Sequence, residues 1–555
     1  MPRQPRTPLS QKLAATLPAT ALLLLFAFAC HSAKKEAALE MVPPPPPPPP
    51  SAAPAPAQMA RLQSLSYTAG GAQESGALIA SDQEMNTEEY GRITDNPFHE
   101  TLRDPLSTFS IDVDRASYSN VRRFLNDRQK PPRDAVRIEE MVNYFSYDYP
   151  DPTGEHPFSI TTEIATCPWN AKNRILLIGL QGERIDTSEL PPANLVFLLD
   201  VSGSMLDANK LPLVKSALRL LVDQLRPQDR VAIVAYAGSA GLVLPSTPGK
   251  EKGRIAEAID RLEGGGSTAG GEGILLAYKI ARESFVEGGN NRVILATDGD
   301  FNVGVSSDGE LERLIEAKRQ ERIFLTVLGF GTGNVKDSKM ELLADKGNGN
   351  YAYIDTIQEA RKVLVQEIGA TLTTIAKDVK LQIEFNPAKV RAYRLIGYEN
   401  RLLRAEDFHD DAKDAGEMGA GRSVTALYEL VPPDGDLEIA KVDPLKYQTS
   451  AVAATAAASP ELLTLKLRYK EPDADTSRLL TQTVLDATTP IAAASENLRF
   501  AAAVAELGLL LRESPYRSAA SYDQVETMAS GALGGDPDGY RAEFLRLVQA
   551  AEKLD

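Results

Sequence analysis

Only two cysteines occur in 555 residues, Cys30 and Cys167. Two cannot build a disulfide framework, and if Cys30 is used elsewhere Cys167 has no partner within the chain. Cys167, ahead of Pro168 and Trp169, reads as a small buried residue. Histidine is as scarce: His31, His99, His156 and His409 are scattered. There is no H-E-x-x-H and no paired cysteines, so a zinc site has little support. No G-x-S-x-G elbow marks a hydrolase. Gly249-Lys250 is followed by Glu251, not Ser or Thr, which excludes a phosphate-binding P-loop. Gly329-Phe330-Gly331-Thr332-Gly333 lacks the third glycine of a dinucleotide site and reads as a turn. These absences make the chain a non-enzyme in this reading.

Basic charge is in deficit, with 60 Lys and Arg against 76 Asp and Glu, a formal charge of −16. Such a chain repels nucleic acid and anionic lipid headgroups. A cationic or metal-bridged partner suits it better, although acidity equally serves solubility. Long apolar runs are missing too. The longest, Ala21-Leu22-Leu23-Leu24-Leu25-Phe26-Ala27-Phe28-Ala29, is too short to span a bilayer comfortably.

That run follows a basic start, Arg3, Arg6 and Lys12, and ends at Cys30. The pattern resembles a bacterial lipoprotein signal, residues 1–29, with cleavage before Cys30 and lipid on its sulfur. Cleavage there removes three basic residues and no acidic one, taking the formal charge from −16 to −19. Ordinary secretion with an incidental Cys30 is the alternative. Residues 30–93 read as a disordered tether rich in proline and alanine. Its unbroken run Pro43 to Pro50 forms a stiff spacer at ~3.1 Å per residue.

The densest chemistry lies in Asp200-Val201-Ser202-Gly203-Ser204, directly after the apolar run Leu195-Val196-Phe197-Leu198-Leu199. A buried strand there delivers a carboxylate and two hydroxyls to one rim, at the end of a parallel strand where open α/β sheets bind ligands. Hard oxygen donors suit Mg²⁺. Thr268 lies in the glycine-dense Gly264 to Gly271, and Asp298 ends a second apolar strand, Val293 to Thr297. Helix capping by Ser and Gly explains any one of these segments, but not all three in this order.

Together they resemble the metal-ion-dependent adhesion site (MIDAS) of the von Willebrand factor type A (VWA) domain. The resemblance runs from about Ala193 to Thr374 and is that of a bacterial VWA-domain lipoprotein. It implies five ligand positions: Asp200, Ser202, Ser204, Thr268 and Asp298. The hydroxyls would ligate directly and the aspartates often through water. The ion would be Mg²⁺, with Mn²⁺ or Ca²⁺ as alternatives, and a partner's Asp or Glu would complete its shell. It also implies a last helix, about Ile357 to Thr374, that moves when ligand binds.

The expected fold class is α/β. A central, doubly wound, mostly parallel sheet occupies residues 191–375. Its strands are Leu195–Leu199, Val231–Tyr236, an antiparallel edge Gly241–Leu244, Val293–Thr297, Phe324–Phe330 and Tyr351–Ile354. Residues 94–190 read as a small α+β region. It has a strand near Phe109–Asp114, helices over Ala116–Asn126 and Val136–Phe145, and paired strands Phe158–Ile164 and Arg174–Leu180. This segment resembles one that precedes the type A domain in such lipoproteins. Residues 376–555 read as a separate β-rich domain with terminal helices over Glu496–Arg512 and Tyr540–Leu554. Strict alternation over Val379–Phe385 and Leu463–Tyr469 predicts a sandwich with one wet face, with Arg422–Leu430 as another strand and Ala451–Ser459 as a loop.

The functional expectation is a membrane-tethered cell-envelope binding protein that captures a protein carboxylate on its metal. If the host is Gram-negative, the lipid would sit in the outer membrane facing the periplasm, because His31 rather than Asp follows Cys30. No nucleic-acid partner is expected. The rivals are an envelope scaffold whose metal is structural, and a hydrolase whose site lies in residues 376–555. The anchor is directly testable. Cys30→Ser is expected to move the protein from the membrane to the soluble fraction, or to leave it unprocessed. A mature N-terminus that mass spectrometry finds at an unmodified residue other than Cys30 overturns it.

Overall fold

The computed structural model describes residues 88–186, 190–266, 270–299, 301, 308–367, 369, 373–413, 415–435 and 451–555. Cys30, the signal segment, the proline run and Thr268 lie outside the described residues.

The Ala193–Asp200 strand is buried at every position. A central parallel strand is covered on both faces, so its residues form a continuous apolar run rather than an alternation. It is the middle of a six-stranded sheet. The strand order is Tyr351–Ile354, Ile323–Phe330, Asn290–Thr297, Ala193–Asp200, Arg230–Tyr236, Ala240–Pro248. All neighbours are parallel except the last pair, which is antiparallel as the sequence predicts. On one face Leu195, Phe197 and Leu199 pack against the helices Leu211–Gln224 and Lys252–Asp260. On the other, Val196 and Leu198 pack against Gly270–Glu283, Asp308–Gln320 and Asp337–Lys346. The doubly wound α/β sheet is therefore present.

The helix Asp337–Lys346 was not among those the sequence predicts; only its Met340, Leu343 and Ala344 supply a buried apolar face. Of the helix expected from Ile357 to Thr374, residues 368 and 370–372 lie outside the described residues. It is regular over Ile357–Arg361 and continues as a π turn over Lys362–Gln366. A strand already begins at Thr374.

The two flanking regions form one body. Strand Thr374–Phe385 pairs on one edge with Leu106–Ser110 and on the other with Glu461–Lys470. The resulting sheet runs Leu402–Leu403, Leu106–Ser110, Thr374–Phe385, Glu461–Lys470, Ser477–Leu485, with Gly416–Gly419 also on Thr374–Phe385. A second sheet runs His99–Glu100, Ala392–Ile396, Ser423–Val431, Arg174–Gly182, Phe158–Thr166. Both draw strands from before and after the α/β sheet, so residues 94–190 and 376–555 are not separate domains. Backbone pairing between strands hundreds of residues apart leaves no local pattern to read. The sheets face each other through Leu176, Ile178 and Leu180 on one side and Leu381, Ile383, Leu465 and Leu467 on the other. The far side of the second sheet, with Ile175, Leu177 and Leu427, carries the helices Ala116–Asn126, Ile138–Asn143, Glu496–Leu511, Tyr522–Ser530 and Tyr540–Glu552. Ala451–Ser459, read as a loop, contains the short exposed helix Ala454–Ala458.

Packing reaches further back than the boundary read at Thr94. The Glu89 N–H donates to the Val335 carbonyl at 2.9 Å, and Arg123 pairs with Glu88 at 2.9 Å.

Arg122 ties the body to the α/β sheet. From the Ala116–Asn126 helix, only 2% exposed, it donates to Asp355 at 2.8 Å, to Glu359 at 2.7 Å and to Glu543 at 3.1 Å. Asp355 and Glu359 belong to the α/β region and Glu543 to the last helix. Removing one partner of a buried ion pair strands the others without counter-charge. Arg122→Met is therefore expected to cost about 3–5 kcal/mol in urea denaturation, whereas Glu543→Gln, whose side chain is partly solvated, costs less. Equal stability of Arg122→Met and wild type would show that the knot holds nothing.

Candidate metal centre

Asp200 ends the central strand and lies opposite Tyr236 on the neighbouring one. Its backbone position follows from a strand that runs out of apolar residues at the sheet's rim. The side chain is fully buried. One carboxylate oxygen accepts the Ser202 N–H at 2.8 Å, closing the turn that an Asp two residues ahead commonly makes. The other accepts the Tyr236 hydroxyl at 3.1 Å. Thr297, at the end of the strand on the other side, reaches it at 3.5 Å. Burial pushes the Asp200 carboxyl up. Its bonds to Ser202 oppose this, and the neighbouring Asp298 charge adds to it.

After Asp200 a short 3₁₀ turn, Gly203–Leu206, brings the two serines together. Their hydroxyl oxygens lie 3.0 Å apart. The glycine loop stitches this turn in place: the Gly203 N–H donates to Gly266 at 3.0 Å, and the Gly265 N–H donates to Val201 at 2.7 Å. Gly266 has φ +89°, and a Cβ there would lie 3.3 Å from the Gly238 nitrogen. Glycine lets the loop sit this close.

Asp298 follows the Asn290–Thr297 strand and is 1% exposed. Lys210, immediately before the Leu211–Gln224 helix, holds one of its oxygens at 3.1 Å. The structure thus gathers Asp200, Ser202, Ser204 and Asp298 at one rim of the sheet. Sequence reasoning missed Lys210, Tyr236 and Thr297. Tyr236 and Thr297 could have been found by aligning the ends of the strands beside Asp200. Nothing in the local sequence singles out Lys210.

The donors present fit a hard divalent cation. Two ligands at right angles, each ~2.1 Å from an octahedral ion, lie ~3.0 Å apart, and the serine hydroxyls have this separation. Two buried carboxylates supply charge. Among the described residues no group of three or more His, Cys, Asp and Glu is placed to hold a metal. The set is therefore a mixed carboxylate–hydroxyl one, not a carboxylate cage. On the outer side Leu206 is 62% exposed, an apolar element beside the polar rim. Cys167 is buried, and burial pushes its thiol up, so it carries no reactivity here.

Three family models match the chain. The model described as von Willebrand factor type A domain matches residues 194–367. The one described as von Willebrand factor matches 84–177, and Uncharacterized protein YfbK, C-terminal, matches 370–554. Among solved structures, a von Willebrand factor type A protein from Catenulispora acidiphila is 14% identical, with 72% of this chain and 91% of that chain covered and a TM-score of 0.39. The protein sll0103 of Synechocystis is 32% identical over 187 residues, 34% of this chain and 43% of its own. YfbK of Escherichia coli K12 is 45% identical over 499 residues, which is 89% of this chain and 85% of that protein. With a VWA domain inserted into a body whose later half matches the YfbK C-terminal model, the chain belongs to the YfbK family.

Proposed function

We propose that this protein is a non-enzymatic binding protein of the cell envelope, tethered through Cys30, that captures a partner's carboxylate at the rim formed by Asp200, Ser202, Ser204, Thr268 and Asp298. The observation that carries the reading is the pair of serine hydroxyls 3.0 Å apart beside a buried carboxylate at a parallel-strand end. A bound Mg²⁺, or Mn²⁺ or Ca²⁺, supplies an electrophilic centre that accepts an oxygen of the partner's Asp or Glu.

The chain's own groups are arranged for this task. Tyr236 and the Ser202 N–H hold the Asp200 carboxylate in one orientation. The serines are neutral, so they provide donor oxygens without cancelling the electrophilicity that an anionic partner needs. Leu206 offers apolar contact next to the captured carboxylate. Among the described residues no helix is long and apolar enough to cross a membrane.

The full chain tests this. Asp200→Ala is expected to abolish measurable Mg²⁺ uptake by calorimetry while far-ultraviolet circular dichroism stays as in wild type. Thr268→Ala is expected to keep metal uptake but lose chelator-sensitive partner capture. Equal metal affinity in Asp200→Ala and wild type refutes the site. Unfolding on chelation, with partner capture unaffected by Thr268→Ala, favours a scaffold with structural metal instead.

A further inference from the structure

We propose that Lys210 is a built-in counter-cation of this site, which lowers its affinity for metal and thereby preserves the pull of the bound ion on an anionic partner. The inference rests on reading Asp200, Ser202, Ser204 and Asp298 as metal ligands and adds a residue that this reading does not contain.

The lysine is held in place. Its side chain is 5% exposed, and its ammonium lies 3.1 Å from a carboxylate oxygen of Asp298 and 3.7 Å from the exposed Asp207. Its stem runs under the turn at Gly331. A Cβ at that position would fall 2.4 Å from Lys210 Cγ, 2.5 Å from Cε and 2.8 Å from Cδ. Gly331 also has φ +77°, a conformation that costs glycine little. The Tyr353 hydroxyl donates to the Gly331 carbonyl at 2.5 Å and holds the turn over the lysine. A flexible surface cation has no such channel, since lysine heads ordinarily stay in water.

The charge balance gives the consequence. Two carboxylates and two neutral hydroxyls would present two negative charges to an ion. The Lys210 ammonium, in contact with one of the carboxylates, reduces this to one. Charges a few ångströms apart in a buried setting interact strongly, and the ion's own charge dominates the balance of such a site. A divalent ion held by one net negative charge keeps one positive charge for a further anion. Held by two, it binds more tightly and attracts the next carboxylate less. Lys210 thus trades retention of the metal for selectivity toward an acidic partner.

Lys210→Met keeps the stem beneath Gly331 and removes the charge. In the full chain, titrated with Mg²⁺ alone by calorimetry and with Mn²⁺ alone by electron paramagnetic resonance, it is expected to bind metal at least about tenfold more tightly than wild type. Lys210→Gln, which retains a hydrogen-bond donor toward Asp298, is expected to do the same and serves if the methionine variant does not fold. Lys210→Arg, which keeps the charge, is expected to return the affinity toward wild type. If wild type binds metal and both neutral variants bind it equally or more weakly with unchanged thermal melting, the counter-cation role is refuted and the metal site stands. If neither wild type nor the variants take up Mg²⁺ or Mn²⁺, the metal reading itself fails and this inference with it. Uptake by the neutral variants alone would show Lys210 to be strong enough to exclude the ion.

Discussion

The pairing of strand Thr374–Phe385 between Leu106–Ser110 and Glu461–Lys470 is the constraint on which the rest of the structure depends. It brings together chain from both sides of the VWA domain, and the second sheet repeats this through Arg174–Gly182 against Ser423–Val431. The VWA domain is consequently held at both ends, emerging from Arg174–Gly182 and returning into Thr374–Phe385. Its entry and exit are fixed by hydrogen-bonded strands instead of a single linker. An inserted domain with both ends anchored keeps a defined orientation where one on a single linker would move by default.

Charge reinforces what the strands begin. Arg122 meets Asp355 and Glu359 of the VWA domain. Arg401 meets Asp112 and Asp114 of the body and Glu341 and Asp345 of the VWA domain, at 2.7–3.6 Å. These four carboxylates crowd Arg401, and Arg137 also reaches Glu341, at 3.9 Å. Burial, and then the neighbouring carboxylates, push Asp114 and Asp345 up from the ordinary range. A carboxyl with a raised folded-state pKa takes up its proton more readily in the folded protein, so its contribution to stability grows as the pH falls through that pKa toward the ordinary carboxylate range. The body and the VWA domain thus share buried electrostatic networks.

The rim carrying Asp200 is largely local in origin. Asp200, Ser202 and Ser204 lie within five residues, and the turn that unites them is built from their own backbone and from hydrogen bonds to the glycine loop. Such short-range geometry is legible from the residues alone. Lys210 is different. It reaches Asp298 across a long stretch of sequence, through a channel that exists only because Gly331 lacks a side chain. Neither lysine nor glycine is distinctive where it stands in the chain.

By itself the sequence determined the strands of the VWA domain and most of the helices between them, an antiparallel edge at Gly241–Leu244 that the structure extends to Ala240–Pro248, and the carboxylate and hydroxyl residues near the strand ends. Each is a periodicity or a spacing within a short window, set by backbone geometry and burial. Only tertiary structure decided that 94–190 and 376–555 are one body, that the buried strand Ala392–Ile396 sits between His99–Glu100 and Ser423–Val431, and that Lys210 pairs with Asp298. Those outcomes depend on which distant strand or charge lowers the free energy of a buried group. Long-range pairing of that kind satisfies hydrogen bonds and compensates charge without imposing any pattern on the residues in between.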